Sequence, residues 1–421
     1  MKLQKIVERL QKLHPKEIDL SLDRTRTLLK KLGNPQDKIN CVSVVGTNGK
    51  FSTIQALFAI LKEANYKCNI FTSPHIKIIN ERFVFNNKIL GDNELVNLFS
   101  EIEEINNGKQ ITFFEILTVA YLHYAKKYPK NINIIESGLF HRFDATNILK
   151  KNLASIVTAI GLDHLDWLPK EERTVKKIIF EKTSNLLNSK IIIAKQSSDE
   201  INKNIENTIK DNPSKKIIFN KNYSYILKEN DFYFEDEFGG LKLPRPNLPG
   251  EFQLENISTA IATVRQLTGY LVTNEHIKRG ITKIKSIARL QELKSGKLKD
   301  LVKNNLLYVD GSHNPLGAKV LNQYLQSINS NKHIILGMMS NKDHNEYMSY
   351  FKDIKSLTTI DIPNQPNAIK GNKLKNKIKN FKNIKYQNSI KDAITSIDLQ
   401  ENDIILITGS LYLAGEVLNL N

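Results

Sequence analysis

The chain has only two cysteines, Cys41 and Cys68. Two cannot build a disulfide scaffold or a cysteine metal site, and both lie in or beside apolar strand-like runs, so buried free thiols are expected. No hydrophobic run approaches membrane-spanning length. The segment Met1-Lys2-Leu3-Gln4-Lys5-Ile6-Val7-Glu8-Arg9-Leu10 reads as a charged amphipathic helix without an apolar h-region, not a signal peptide, and the chain reads as cytoplasmic. There is no internal repeat and no signature of a Ser/His/Asp triad.

What is present is ordinary for a globular protein: 421 residues, 40% hydrophobic and 25% charged. That length allows two domains or three, each with a real core. The formal charge of +17 comes from lysines spread along the chain among many Asn and Ile, the pattern an A+T-rich coding bias leaves. The one dense stretch holds Lys370, Lys373, Lys375, Lys377, Lys379, Lys382 and Lys385. Its aromatics, Phe381 and Tyr386, form no stacking series, so a solvated helix face and loop is expected rather than a nucleic-acid groove. A positive surface also draws in ATP and multiply charged acids.

The chain is organised around Gly46-Thr47-Asn48-Gly49-Lys50-Phe51-Ser52. The apolar run Cys41–Val45 before it reads as a buried strand. After it, Ile54, Leu57, Phe58 and Leu61 recur at helical spacing. Glycines let backbone N–H groups close on phosphate oxygens, and a helix N-terminus favours anions. Lys50 supplies a cation, and the Ser52 hydroxyl suits Mg²⁺. The strict G-x-x-x-x-G-K-[ST] pattern is not met, because Val44 holds the first glycine position and Phe51 separates Lys50 from Ser52. Alone, this turn reads equally as a phosphate loop or an ordinary strand-to-helix turn.

Residues 1–39 read as two short helices, the second with a Ser or Asp cap, and the segment to Arg82 as a polar loop. Further strands are expected at Asn69–Thr72, Ile132–Ile135, Ala154–Ile160 and Ile191–Ile193, with helices at 92–107, 113–128 and 255–267 and hairpins over 215–245. The polar stretch Gln291–Lys299 is expected as a linker, with a second α/β set beyond it. Strands alternating with helices predict mostly parallel sheets, whose ligands sit beyond the strands' carboxyl ends. The expected fold is α/β, with an N-terminal P-loop-type ATPase domain at 1–293 and a smaller Rossmann-like domain at 294–421.

Four groups carry candidate chemistry. Ser52, Ser73, Glu136 and His164 at strand ends form an oxygen-rich set suited to Mg²⁺, with a capping or core histidine as the bland reading of His164. In Phe180-Glu181-Lys182-Thr183-Ser184, a lysine near a metal must be a phosphate ligand or a carbamate; a surface Lys beside Glu is the alternative. Arg289 near the domain boundary suits a transferring phosphoryl group or an interdomain salt bridge. In Asp310-Gly311-Ser312-His313-Asn314-Pro315, Asp310 can take ribose hydroxyls and His313 a nucleotide, unless the segment is simply a capped turn.

Taken in order, these segments resemble the folylpolyglutamate synthase/dihydrofolate synthase family, a branch of the ATP-dependent ligases that includes the Mur enzymes. The resemblance rests on Leu32-Gly33-Asn34-Pro35-Gln36-Asp37-Lys38, Gly46–Lys50, Ser73-Pro74-His75, Asp144-Ala145-Thr146-Asn147, Asp163-His164, Glu181-Lys182, Asp310 with His313-Asn314-Pro315, and Gly409-Ser410-Leu411-Tyr412. It implies ATP phosphates at Gly46, Thr47, Asn48, Gly49, Lys50, Phe51 and Ser52, with Asn256, Arg289, Asp310 and His313 as further ATP contacts. It implies Mg²⁺ at Ser52, Ser73, Glu136 and His164, a carbamylated Lys182, and catalytic parts for Lys50, Lys182, Arg289 and His164. The pterin side would use Thr112, Phe113, Phe114, Glu115, Phe143, Asp144 and Ala145. The implied reaction joins L-glutamate to dihydropteroate or a reduced folate through an acyl phosphate, in a monomer without nucleic-acid or membrane partners. A Mur-like peptidoglycan ligase, a basic nucleic-acid-binding NTPase and a non-catalytic ATP-binding homologue are the alternatives. The family's Glu-Val-Gly-Leu-Gly-Gly-Arg-Leu-Asp run stands here as Glu136-Ser137-Gly138-Leu139-Phe140-His141-Arg142-Phe143-Asp144. Phe51 replaces a usual glycine, Phe252-Gln253 the usual His-Gln, and Ile287-Ala288 the Pro-Gly before Arg289.

Overall fold

The computed structural model describes residues 2–16, 19–228 and 231–421. Met1 of the expected first helix, residues 17–18 and residues 229–230 of the expected hairpins lie outside the described residues. The chain divides into two compact units, one of Met1–Gly161, Pro169–Asn247 and Leu254–Lys285, the other of Leu162–Leu168, Leu248–Gln253 and Ser286–Asn421.

The first unit is built on eight strands: β1 (Asn40–Val45), β2 (Cys68–Phe71), β3 (Phe83–Phe85), β4 (Lys88–Ile89), β5 (Ile132–Glu136), β6 (Ala154–Val157), β7 (Lys190–Ile193) and β8 (Lys215–Ile218). They lie in the order β4-β3-β2-β5-β1-β6-β7-β8, so the chain runs through β2 out to the β4 edge, returns to place β5 between β2 and β1, and then builds β6, β7 and β8 outward on the other side. β2, β5, β1, β6, β7 and β8 pair in parallel; β3 and β4 join antiparallel at one edge. Burial on both faces explains the near-continuous apolar runs of β1, β5 and β7. The helices Lys2–Gln11, Asp23–Lys31, Asp92–Asn106 and Phe113–Ala125 contribute to one continuous core with Cys41, Phe71 and Ile135. Both cysteines are buried, and burial pushes the Cys68 thiol up to about 12.

At the amino ends of the central strands lies a buried amide ladder. Asn133 Oδ1 accepts from Asn69 Nδ2 (3.1 Å) and the Tyr121 hydroxyl (2.9 Å), while Asn133 Nδ2 donates to the Asn40 carbonyl (3.0 Å). Asn69 Oδ1 accepts from Asn131 Nδ2 and the Asn86 N–H. Both amides are fully buried, and the ladder ties β1, β2 and β5 together at that end.

A separate three-stranded antiparallel sheet follows, β9 (Tyr223–Lys228), β10 (Asp231–Asp236) and β11 (Leu241–Pro244). The second unit carries β12 (Gln291–Glu292), β13 (Leu306–Val309), β14 (Lys332–Leu336), β15 (Ile354–Ile360), β16 (Lys385–Gln387) and β17 (Ile404–Thr408). Their order is β12-β13-β17-β14-β15-β16, parallel except for β12. At the amino ends of this sheet, buried His333 lies between Asp403 Oδ2 (3.1 Å) and Ser356 Oγ (2.7 Å).

Several expectations are corrected. The expected linker at 291–299 holds β12, which pairs with β13, and the start of the helix Lys297–Val302; the boundary falls between Lys285 and Ser286. Polar side chains there mark an edge strand with one wet face. Lys215–Ile218 is no hairpin arm but the outermost parallel strand of the large sheet. The helix after Leu20 has Leu22 as its capping residue; Ser21 Oγ accepts the Asp23 N–H from outside. β6 stops at Val157, so His164 stands seven residues beyond a strand end and belongs to the second unit. The lysines from Lys370 to Lys385 are exposed while Leu374, Ile378 and Ile384 face the core, as a solvated face requires. Among the described residues no helix is long and apolar enough to cross a membrane.

Candidate active site

β1 ends in the turn Gly46–Gly49, and the helix Lys50–Glu63 begins at once. Gly49 has φ +86°, and the Asn256 amide oxygen sits where a Cβ would be, so glycine is required on both counts. The N–H groups of Thr47 and Asn48 both donate to the Ala159 carbonyl (2.9 and 3.1 Å), which moors the turn to the segment after β6. Lys50 Nζ donates to the Gly46 and Thr47 carbonyls, each at 3.2 Å, and stands 3.8 Å from Glu136 Oε1. Lys182 Nζ, almost fully buried, donates to the same Gly46 carbonyl (2.9 Å). Glu136, the last residue of β5, accepts the Ser73 N–H on Oε2 (3.1 Å). Ser52 lies buried in the first turn of the loop helix. The first unit thus brings Lys50, Lys182, Glu136, Ser73 and Asn256 around the loop. It does not include His164.

The residues expected on the pterin side lie in an adjoining group at the end of β5. Adding a Cβ to Gly138 would bring it to 2.8 Å from Phe114 Cζ, so that ring lies directly on Gly138, and it stacks on Phe71 at 5.9 Å. Asp144 is buried and accepts from four groups: the N–H of Gly138 and Leu139 on Oδ2, and the N–H and hydroxyl of Thr146 on Oδ1. Burial raises its carboxyl, against those hydrogen bonds. Ala145 is buried beside it; Phe143 is 39% exposed with the Arg142 guanidinium 4.3 Å over its ring. Thr112 and Glu115 are a capping box for the helix Phe113–Ala125, and Glu115 also takes Arg24 Nε at 3.0 Å. Phe113 packs on the core. Thr112 and Glu115 therefore hold the helix that presents Phe114.

In the second unit the centre is Asp163. Its Oδ1 accepts from Lys342 Nζ (2.7 Å), and its Oδ2 from Asn314 Nδ2 (3.1 Å), with His313 Nε2 at 3.5 Å and His164 Nε2 at 3.8 Å. Burial pushes this carboxyl up, but the charges of His164, His313 and Lys342 together hold it well below the usual range. Asp310 is buried at the end of β13, accepting from the N–H of Leu290 and Ser312. Burial raises its carboxyl while the Arg289 charge opposes the rise. Arg289 is flanked by two non-glycine residues in the left-handed region, Ala288 (φ +53°) and Leu290 (φ +48°). Such backbone is costly and persists where neighbours over-determine it. Here the Gly311 N–H donates to the Ala288 carbonyl and Asp310 holds the Leu290 N–H.

Sequence reasoning missed Lys342, and quoted Asp163 and Asn314 within motifs without giving either a role. The available signal was positional: the turn Ser340-Asn341-Lys342-Asp343 follows the carboxyl end of β14, where parallel sheets bind ligands. Among the described residues, no group of three or more His, Cys, Asp and Glu side chains could hold a metal ion by itself.

Residues 297–411 match the family described as Mur ligase, glutamate ligase domain. The Haemophilus influenzae dihydrofolate synthase/folylpolyglutamate synthase is 28% identical over 97% of this chain and 94% of its own length. The enzyme of the same description from Escherichia coli is 27% identical over 98% and 93%. Among solved structures, Escherichia coli FolC in complex with DHPP and ADP superposes with a TM-score of 0.86 at 26% identity, covering 99% of this chain and 97% of that one. The Yersinia pestis bifunctional synthase complexed with AMPPNP and Mn ion, at 24% identity and a TM-score of 0.87 over 99% and 97%, shares the fold. A parallel-sheet unit with a phosphate-loop turn, joined to a glutamate ligase domain, defines an ATP-dependent carbon–nitrogen ligase of the Mur ligase superfamily. Within it, the chain is similar over nearly its whole length to the dihydrofolate synthase/folylpolyglutamate synthases.

Proposed function

We propose that the chain uses ATP to join L-glutamate to dihydropteroate, to reduced folates, or to both. The carrying observation is the juxtaposition, at the ends of neighbouring strands β1 and β5, of the Lys50–Lys182–Glu136 loop group and the Phe114–Gly138–Asp144 group. An acceptor carboxylate attacks the γ-phosphorus of ATP, giving an acyl phosphate and ADP. The amine of glutamate then attacks the acyl carbon, phosphate leaves, and the amine proton is lost. Lys50 and Arg289 spread the charge of the transferring phosphoryl group; positioning and electrostatics do the catalysis, with no protein nucleophile. Asn256 lies against the loop on the ATP side, and Asp310 and His313 serve the nucleotide. His164 and Lys342, arrayed on Asp163, are the remaining polar groups for phosphate or glutamate.

Ser52, Ser73 and Glu136 offer two hydroxyls and one carboxylate, a hard-oxygen set that fits Mg²⁺ when phosphates and water complete it. Ser52, Ser73 and Glu136 would hold Mg²⁺, which when bound would supply positive charge against that of the phosphates. The surroundings of Lys182 suit an ammonium: the Gly46 carbonyl accepts from it, and the face of the Phe140 ring lies 5.7 Å away. A carbamate would keep an Nζ–H for that carbonyl but set its negative charge near the ring face, so Lys182 acts as a phosphate-side cation. A wild-type protein in labelled bicarbonate that gave a carbamate ¹³C signal, absent in Lys182→Arg, would overturn that choice. The chain is read as a cytoplasmic monomer without nucleic-acid or membrane partners.

The deciding experiment is ADP release with ATP, Mg²⁺ and L-glutamate, comparing 7,8-dihydropteroate with reduced folates. Turnover on either supports the reading and names the specificity; turnover only on a peptidoglycan nucleotide, or none, overturns it. Lys50→Ala is expected to lower kcat by about 10³-fold with the far-UV spectrum unchanged.

A further inference from the structure

Between Glu136 and Asp144 the chain carries a polar network that the proposed reaction does not use. His141 Nδ1 lies 2.9 Å from Ser137 Oγ, Ser137 Oγ lies 3.2 Å from Thr146 Oγ1, and Thr146 Oγ1 lies 2.5 Å from Asp144 Oδ1. All four side chains are buried. Both members of the first contact are departures from the family run, which has valine and glycine at positions 137 and 141.

The direction of each bond follows from the far end. Asp144 accepts from three backbone N–H groups and one hydroxyl, four bonds that stabilise its carboxylate form against the rise that burial imposes. The single Thr146 hydroxyl proton is therefore committed to Asp144, the stronger, charge-assisted bond. Thr146 Oγ1 must then accept from Ser137, whose own proton is thereby used. Ser137 Oγ in turn can only accept from His141, so the proton of the neutral imidazole sits on Nδ1. Burial first, and the Lys182 charge second, hold the His141 ring neutral, down to about 3.

We infer that His141–Ser137–Thr146–Asp144 is a one-way hydrogen-bond relay that fixes His141 as the Nδ1–H tautomer. It makes His141 and Ser137 positioning residues linking Lys182, on the ATP side, to Asp144, on the acceptor side. The backbone takes part: the His141 and Arg142 N–H groups both donate to the Glu181 carbonyl, next to Lys182. Asp144 in turn fixes Gly138, on which the Phe114 ring lies. The assignment of sides rests on the proposed ligase reaction; the tautomer does not.

The test has two arms. In ¹⁵N-histidine-labelled wild-type protein, with the His141 signals assigned through His141→Gln, long-range ¹H–¹⁵N spectra are expected to show Nδ1 protonated and Nε2 bare, with Ser137→Ala losing that state and Ser137→Thr keeping it. An Nε2–H ring in the wild type overturns the relay whether or not any acceptor is turned over. In the kinetic arm, Ser137→Ala is expected to raise the acceptor KM by about tenfold while the ATP KM stays within about twofold, with Ser137→Thr restoring it. An unchanged acceptor KM, or equal rises for both substrates, overturns the positioning role. Absence of ligase activity in the wild type condemns the proposed reaction and leaves the spectrum to decide the relay.

Discussion

At the scale of single residues, two positions stand in the left-handed region where the related run has glycine: Ala288 and Phe140. The same conformation leads to opposite expectations. A left-handed alanine costs roughly 1–2 kcal/mol, and glycine's extra freedom in the unfolded chain returns up to about 1 kcal/mol of that. Ala288→Gly is therefore expected to stabilise the second unit by up to about 1 kcal/mol, read as a raised denaturant midpoint at constant slope. A lowered midpoint would mean the methyl group is packed too well to lose. Phe140 is buried, and losing its ring costs about 3–5 kcal/mol, more than strain relief returns. Phe140→Gly is expected to destabilise the first unit by about 2–5 kcal/mol. At this scale the sequence was legible where chemistry is local. Gly49, Lys50 and Glu136 follow from a strand, a turn and a helix. Asp163 and Lys342 did not, because their meeting is made by the fold, across 179 residues.

At the scale of elements, hydrophobic periodicity located the long helices and buried strands to within a few residues. It failed on the short ones. β3, β4 and β12 have two or three residues each, too few to express an alternation, and exist because a neighbour offers a free edge. The amide ladder was equally hidden, since single asparagines in apolar strands look like breaks in a pattern. It carries an expectation of its own. Asn133→Leu removes partners from Asn69, Tyr121 and the Asn40 carbonyl together, and buried groups left unpaired cost about 1–3 kcal/mol each. A loss of several kcal/mol is expected in urea unfolding of the first unit. Asn133→Asp should be no milder; a near-neutral result for Asn133→Leu would mean the ladder has alternative partners.

At the scale of the whole molecule, histidines held below their ordinary value set the response to acid: half-buried His75 and buried His123, His141, His333 and His344. Burial comes first and a neighbouring cation second for His75, held down to about 4 beside Arg82, and His141, down to about 3 beside Lys182. Burial also lowers His333, against its Asp403 partner; Lys355 adds to the lowering and Asp398 opposes it. A histidine whose folded value lies below the unfolded one contributes stability that is complete above about pH 6.5 and is lost as pH falls toward the folded value. Asp144 and Asp310, raised by burial, act in the opposite sense. The unfolding free energy is expected to fall from pH 7 to pH 5, and His75→Gln to flatten part of that fall. A curve that is level or rising over that interval would contradict the assignment.

Nine of the described non-glycine residues with positive φ are asparagines, among them Asn107, which Gly108 follows. The phosphate turn repeats that pair as Asn48-Gly49. Asn-Gly is the bond at which an asparagine side chain most easily closes on the next backbone nitrogen and expels ammonia. Re-opening leaves an aspartate or isoaspartate. At Asn48 the product is a negative charge set among the groups proposed to receive phosphate oxygens. The mooring of the Asn48 N–H to Ala159 restrains that closure while the loop is folded. The turn is thus also a timer: preparations of this enzyme are expected to age by covalent change at Asn107 and, more slowly, at Asn48, with bound nucleotide slowing the second clock.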